Sequence, residues 1–170
     1  LHRLTGHDDI AVGSPIAGRN RSEIESLIGF FINTLVLRTI FSDNPTFKEL
    51  LARVRGTCLV AYAHQDVPFE KLVEELRPER DLSRTPLFQV FLNMVNVATR
   101  VVPEGFKTES SSLTGSAYSR TDESTSDSQV QSKFDLTIYV RERNGALQFN
   151  WVYNADLFSR DRIEVLSRQY

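Results

Sequence analysis

Few side chains in this 170-residue chain have a type and spacing that chemistry could use. The histidines are His2, His7 and His64. No two of them are spaced as ligands on one helix face, so a zinc site is not expected. His7-Asp8-Asp9 has the composition of a metal or acid–base cluster, but it precedes a strand-like run and reads as a solvated polar turn. His64 lies between two helical stretches. Its ring is expected to cap the end of the first helix or to donate to a backbone carbonyl at the bend. The single cysteine, Cys58, excludes an internal disulfide and any multi-thiolate metal site. Its place on the apolar face of a helix makes it packing rather than a nucleophile. Asn33 is an amide inside an apolar run, where an unpaired polar group costs ~1–3 kcal/mol when buried. It therefore either ties its strand to a neighbouring loop or faces a polar cavity. Arg19 and Arg38 are expected to partner buried carboxylates or carbonyls; for Arg19, which follows Gly18 in a loop, phosphate binding is the alternative. Asp81, Ser83 and Arg84 form a polar knot before Pro86, expected to lock a turn by side-chain hydrogen bonds. No Gly-x-Ser-x-Gly elbow, phosphate-binding Gly-x-x-x-x-Gly-Lys or Cys-x-x-Cys occurs, so no complete catalytic constellation is visible.

The elements that must position these residues follow from spacing. Asp9 to Pro15 is a β-branched run closed by turn residues, hence a strand. Ser22 and Glu25 form a capping box that opens a short helix ending near Gly29. Phe30 to Thr39, with Phe30, Phe31, Ile32, Leu35, Val36 and Leu37, predicts a strand buried on both faces. Thr46 and Glu49 form a second capping box before the longest helix, Phe47 to Ala63. Its apolar positions Phe47, Leu50, Leu51, Val54, Cys58, Ala61 and Tyr62 predict one buried face. Pro68 suits the first position of the next helix, where its missing N–H would be unpaired anyway, and Pro78 marks the end. Leu87 to Val95 predicts another buried strand. Residues 107–132 hold nine serines and little apolar content, which predicts an exposed flexible loop. Phe134 to Arg141 and Leu147 to Tyr153 both alternate apolar with polar residues. Asn144-Gly145 between them signals a type I′ hairpin, because both turn positions need positive φ. Ser159 is placed to cap a final helix, Arg160 to Tyr170. The order β-α-β-α-α-β-loop-β-β-α predicts an α/β fold, a mixed sheet with packed helices.

The composition is that of a globular chain, 41% hydrophobic and 25% charged. A net charge of -2 argues against nucleic acid or an anionic membrane surface as partner. No apolar run approaches the ~20 residues that span a bilayer. With no signal segment at the start, the cytoplasm is the expected location. The chain opens with Leu1 rather than Met, which suggests a piece of a longer polypeptide.

Five blocks of the sequence resemble those of one family. They are Asp9-Ile10-Ala11-Val12-Gly13-Ser14-Pro15-Ile16-Ala17-Gly18-Arg19, the run Ile28-Gly29-Phe30-Phe31-Ile32-Asn33-Thr34-Leu35-Val36-Leu37-Arg38, and His64-Gln65-Asp66-Val67-Pro68-Phe69-Glu70-Lys71-Leu72-Val73. Further on come Arg80-Asp81-Leu82-Ser83-Arg84-Thr85-Pro86-Leu87-Phe88-Gln89-Val90 and Ser132-Lys133-Phe134-Asp135-Leu136-Thr137. In this order the chain resembles the C-terminal part of the condensation domain of nonribosomal peptide synthetases. The resemblance implies the C-terminal lobe of a chloramphenicol acetyltransferase-like fold, whose two lobes enclose a tunnel. It implies amide-bond formation between a carrier-bound acyl or peptidyl thioester and a carrier-bound aminoacyl thioester. No cofactor is then bound directly; phosphopantetheine arms of upstream and downstream peptidyl carrier proteins enter the tunnel. An adjacent adenylation domain and the missing N-terminal lobe are the other implied partners. The family signature His-His-x-x-x-Asp-Gly is absent here, so the resemblance places no catalytic residue in this chain and leaves the fragment inactive alone. It puts Asn33 beside the tunnel, where its amide would hold a substrate or pantetheine group. Arg19, Arg38, His64, Asp81 and Arg84 are taken as structural residues of the blocks. An epimerisation or heterocyclisation relative, or a non-catalytic module that docks carrier proteins, is the alternative.

Overall fold

The computed structural model describes residues 1–18, 22–25, 27–79, 81, 84–95, 132–143 and 145–169. The expected serine-rich loop lies outside these except for Ser132, and so do Arg19 and Ser83. Five strands form one mixed sheet: β1 (Asp9–Ile16), β2 (Asn33–Ile40), β3 (Val90–Met94), β4 (Leu136–Arg143) and β5 (Ala146–Tyr153), in the order β2-β1-β3-β4-β5. The two hairpin-type pairs, β1–β2 and β4–β5, are antiparallel, whereas β1–β3 and β3–β4 are parallel. The helices are α1 (His2–Thr5), α2 (Ser22–Glu25), α3 (Phe47–Ala63), α4 (Phe69–Leu76) and α5 (Arg160–Ser167).

Several local signals act as expected. Thr46 Oγ1 accepts from Glu49 N at 3.4 Å while Thr46 N donates to Glu49 Oε2 at 2.8 Å, a complete capping box at the start of α3. Ser159 Oγ accepts from Arg162 N and caps α5, which ends at Ser167 rather than Tyr170. Gly145 takes φ 75, and Arg143 pairs with Ala146 across the β4–β5 hairpin. Pro68 differs by one position. Its extended backbone makes it the N-cap, and its carbonyl accepts from Lys71 and Leu72.

Packing on the sheet centres on Phe88, which is 1% exposed. Its ring lies 5.3 Å from that of Phe134, 5.6 Å from Phe69 of α4 and 6.0 Å from Phe91. It occupies the space above Gly13, where a Cβ would approach the ring to 2.3 Å. The chain reaches this position through a tight bend. Leu87 has φ 70 and Phe88 N donates to Pro86 O at 3.0 Å, a three-residue turn rare for a residue with a side chain. That bend corrects the expected strand Leu87 to Val95: regular pairing starts only at Val90.

Two further expectations are corrected. The run Phe30 to Thr39 is not a strand buried on both faces. Pairing begins at Asn33, and β2 lies at the sheet edge with Leu35 its one buried side chain. The apolar face expected of α3 is split. Leu50, Cys58 and Ala61 are half-buried, whereas Phe47, Leu51, Val54 and Tyr62 are exposed. The reason is that α3 packs along β2 through polar anchors. Arg53 Nη1 donates to Ile40 O at 3.1 Å and Thr57 Oγ1 to Arg38 O at 3.4 Å, and these bonds set the rotation of the helix.

Candidate functional site

Asn33, the first residue of β2, has its whole amide engaged. Nδ2 donates to Gln65 O at 2.8 Å and to Val67 O at 2.7 Å. Oδ1 accepts from Thr34 N at 2.8 Å and from Phe69 N at 3.2 Å. Two donors and two lone pairs are the full capacity of an asparagine side chain. Apart from Thr34 N, the neighbouring residue of β2, the partners lie in the connection between α3 and α4, where Gln65 and Val67 offer carbonyls and Phe69 offers one of the N–H groups that the start of a helix leaves unpaired. Pro68 has no side chain with which to cap α4, and Asn33 supplies the acceptor instead. Of the two readings open at the sequence level, a tie to a neighbouring loop is the one the hydrogen bonds form.

The clamp fixes the root of a short apolar loop. Between α2 and β2, Ile28 is 104% and Phe30 86% exposed, and Leu27 and Ile32 are exposed as well. Phe31 alone turns inward and is half-buried. Its carbonyl oxygen would lie 2.2 Å from a Cβ at Gly18, which has φ 59, and its ring 3.0 Å from a Cβ at Gly29. Glycine at 18 is thus required twice, by conformation and by close approach. The loop is held on one side by Gly18 and Phe31 and on the other by Asn33, and it presents Ile28, Phe30 and Ile32 outward.

The other sequence candidates have separate partners. Arg38 forms a fork with Asp9: Nε lies 2.8 Å from Oδ1 and Nη2 2.6 Å from Oδ2. The expected carboxylate is present, but both side chains are exposed rather than buried, because β2 is an edge strand. The Arg38 hydrogen bonds hold the Asp9 carboxyl below its ordinary range. His64 is corrected as well: its ring is exposed, and α3 is closed by backbone, with His64 N–H donating to Ala61 O at 3.2 Å and Gln65 N–H to Tyr62 O at 3.4 Å. Asp81 and Arg84 are joined by a 3.5 Å ion pair and by Arg84 N donating to Asp81 O. They line an open depression with Glu70, Arg77, Pro86 and Gln89. In the His7-Asp8-Asp9 turn, His7 gives its carbonyl to His2 Nδ1, Asp8 pairs with the same nitrogen and Asp9 binds Arg38. Among the described residues, no group of three or more histidine, cysteine or acidic side chains is placed to hold a metal ion. No helix among them is long and apolar enough to cross a membrane.

Sequence reasoning missed the exposed loop and the backbone partners of Asn33. The signal was present in both cases. Gly29 interrupts the apolar run before pairing starts, and Pro68 leaves α4 without a cap of its own.

A model of the condensation-domain family matches residues 1–170. The chain is 49% identical over 171 residues to a linear gramicidin synthase polypeptide of Brevibacillus parabrevis, covering 100% of this chain and 3% of that protein. Phosphinothricin tripeptide synthetase PhsB of Streptomyces viridochromogenes is 40% identical across 99% of this chain, which spans 13% of its length. Among solved structures, the first condensation domain of the CDA synthetase superposes with a TM-score of 0.65 at 17% identity, over 99% of this chain and 34% of that one. The chain therefore spans a small part of each synthetase and about a third of that solved condensation domain.

Proposed function

The chain belongs to the condensation-domain family of the nonribosomal peptide synthetases, and on that premise we propose that it is the C-terminal part of a domain that makes amide bonds between carrier-bound substrates. In the reaction, the amine nitrogen of an aminoacyl thioester attacks the carbonyl carbon of an acyl or peptidyl thioester. The C–N bond forms, the C–S bond breaks, and the phosphopantetheine thiol leaves while the amine loses a proton. With no two adjacent histidines in the chain, the group that acts on that amine is supplied by another part of the domain. Residues 1–170 alone then make no product.

The observation that carries a role for this chain is the Asn33 clamp beneath an outward-facing apolar loop. A tunnel that admits a long, uncharged pantetheine arm needs apolar walls held in fixed positions. With its donors and acceptors taken by backbone, Asn33 has none left for a substrate. We therefore assign it as a positioning residue that sets where Ile28, Phe30 and Ile32 stand. Carrier proteins upstream and downstream, and an adenylation domain, complete the assembly in this reading.

The test uses the module that contains this chain, with its own carriers and adenylation domains, supplied with ATP and a mixture of amino acids. Mass spectrometry of the downstream carrier should show an amide-linked dipeptidyl thioester. Both carriers charged with no amide product would overturn the proposal in favour of a docking role. Phe30→Ser should lower the turnover rate severalfold while both carriers charge normally and the domain stays folded. An unchanged rate would remove the loop from the reaction.

A further inference from the structure

The backbone is strained at Leu87, next to the packing centre of the sheet. This residue, with a full side chain, holds φ 70 in a three-residue turn closed by Phe88 N donating to Pro86 O at 3.0 Å. Turns of this hand are rare and costly. Such strain persists where the surrounding structure fixes it, and it gathers where the placement of a group matters to function. The group placed here is Phe88. The turn seats its ring over Gly13 of β1, where it is 1% exposed. From that seat the ring meets Phe69 at 5.6 Å, the two planes tilted by 59°.

Phe69 joins this packing to the clamp. It is the first residue of α4. Its ring rests on Phe88, and its backbone N–H is donated to Asn33 Oδ1 at 3.2 Å. α4 has eight residues and no buried side chain. So short a helix is not stable by itself, and these two contacts tie its first turn to the rest of the chain. A continuous line therefore runs from the strained turn through Phe88 and Phe69 to Asn33, and from there to the loop that presents Ile28, Phe30 and Ile32.

We propose that Phe88 is a positioning residue for amide-bond formation, acting through Phe69 and Asn33 on the place of that loop, a role that depends on the proposed function. Interiors are packed densely enough that the loss of part of a ring is passed on to its neighbours. A smaller side chain at position 88 lets the Phe69 ring settle toward Gly13. The first turn of α4 then draws away from Asn33, and the loop loses its fixed root. Small misplacements of groups that hold a substrate lower the rate of the step they serve. A ring in the core does not touch a carrier protein, so the loss falls on kcat and leaves KM for the carriers as it was.

The experiment compares Phe88→Leu with Ile163→Ala in the whole synthetase module, at a temperature where both stay folded by circular dichroism. Ile163, 5% exposed, is a buried residue of α5 that takes no part in the clamp. Phe88→Leu is expected to lower kcat severalfold at unchanged KM for the aminoacyl carrier, with faster amide exchange at Phe69 and Leu72. Ile163→Ala should lower the urea midpoint but leave kcat alone. Adding Phe88→Leu to Asn33→Ala should slow the module by no more than about twofold beyond Asn33→Ala, as for two changes on one path. Wild-type kcat in Phe88→Leu would overturn the proposal. So would an equal loss in Ile163→Ala, or a loss that multiplies with that of Asn33→Ala. If Phe88→Leu does not fold, Phe69→Leu breaks the same link and is read against the same outcomes. A wild-type module that forms no amide removes the proposed function and this inference together; one that forms amide without the expected pattern removes this inference alone.

Discussion

Replacing Asn33 with alanine tests the clamp most directly. The substitution removes four hydrogen bonds, two of them donated to the carbonyls of Gln65 and Val67 and two accepted from the N–H groups of Thr34 and Phe69. A hydrogen bond contributes ~0.5–1.5 kcal/mol net, and less where water can replace the lost partner. Asn33 is half-buried, so the low end of the sum applies, about 2 kcal/mol. That corresponds to a roughly 30-fold rise in local opening of the first turn of α4. Amide hydrogen exchange in the whole domain reads it at Phe69, Lys71 and Leu72. Asn33→Asp is the informative companion. It keeps the acceptor for Thr34 and Phe69 but removes both donors and sets a charge against two carbonyls, so its loss should be at least as large. Amide-bond formation should fall in both variants, even at temperatures where the domain stays folded, because the loop bearing Ile28 and Phe30 loses its root. Exchange unchanged within twofold in Asn33→Ala, together with lost turnover, would refute the clamp and leave direct substrate contact as the role of the residue.

Other consequences follow from the same geometry. Gly13→Ala would drive a Cβ to 2.3 Å from the buried ring of Phe88. It should cost about 3 kcal/mol in urea unfolding of the domain, with partial recovery on adding Phe88→Leu; wild-type stability would show that the ring can move aside. Thr46→Ala breaks the capping box and should cost about 1 kcal/mol, read as faster exchange at Glu49 N; no change there would mean that the cap does not hold the first turn of α3. Acid should weaken the fold through Asp9, Asp43 and Glu49. Their carboxyls are held below the ordinary values of 3.8 and 4.5 by hydrogen bonds from Arg38, Arg53 and Thr46 respectively. The unfolded chain then binds protons more readily, so this stabilisation is complete above those ordinary values and is lost as pH falls through the lower folded ones. All three groups lie at the surface, so the effect is small and shrinks with added salt. The thermal midpoint should drop between about pH 5 and pH 3, and the triple variant D9N/D43N/E49Q should flatten that slope. An unaltered slope would place the acid sensitivity elsewhere.

Features written in neighbouring residues were legible without the fold. The Thr46–Glu49 box, the Ser159 cap and the turn at Gly145 each need only a few positions, and backbone geometry leaves them few alternatives. The alternation through Leu136, Ile138 and Val140 likewise marked a strand of the β4–β5 hairpin and the side chains that share one face. Block order gave the family, because five motifs in fixed succession constrain the chain far more than any single one. Whatever depends on where strands lie was settled only by the packed chain. An apolar run such as Phe30 to Leu37 looks alike whether its strand is central or at an edge, and only the order β2-β1-β3-β4-β5 makes it an edge. The same placement exposes the Arg38–Asp9 pair and leaves half the apolar stripe of α3 open. The role of Asn33 was undecidable from its own surroundings in sequence, since its partners Gln65, Val67 and Phe69 lie 32 to 36 residues away. Hydrogen bonding is satisfied by whatever the fold brings within about 3 Å, and spacing along the chain does not reveal which residues those will be.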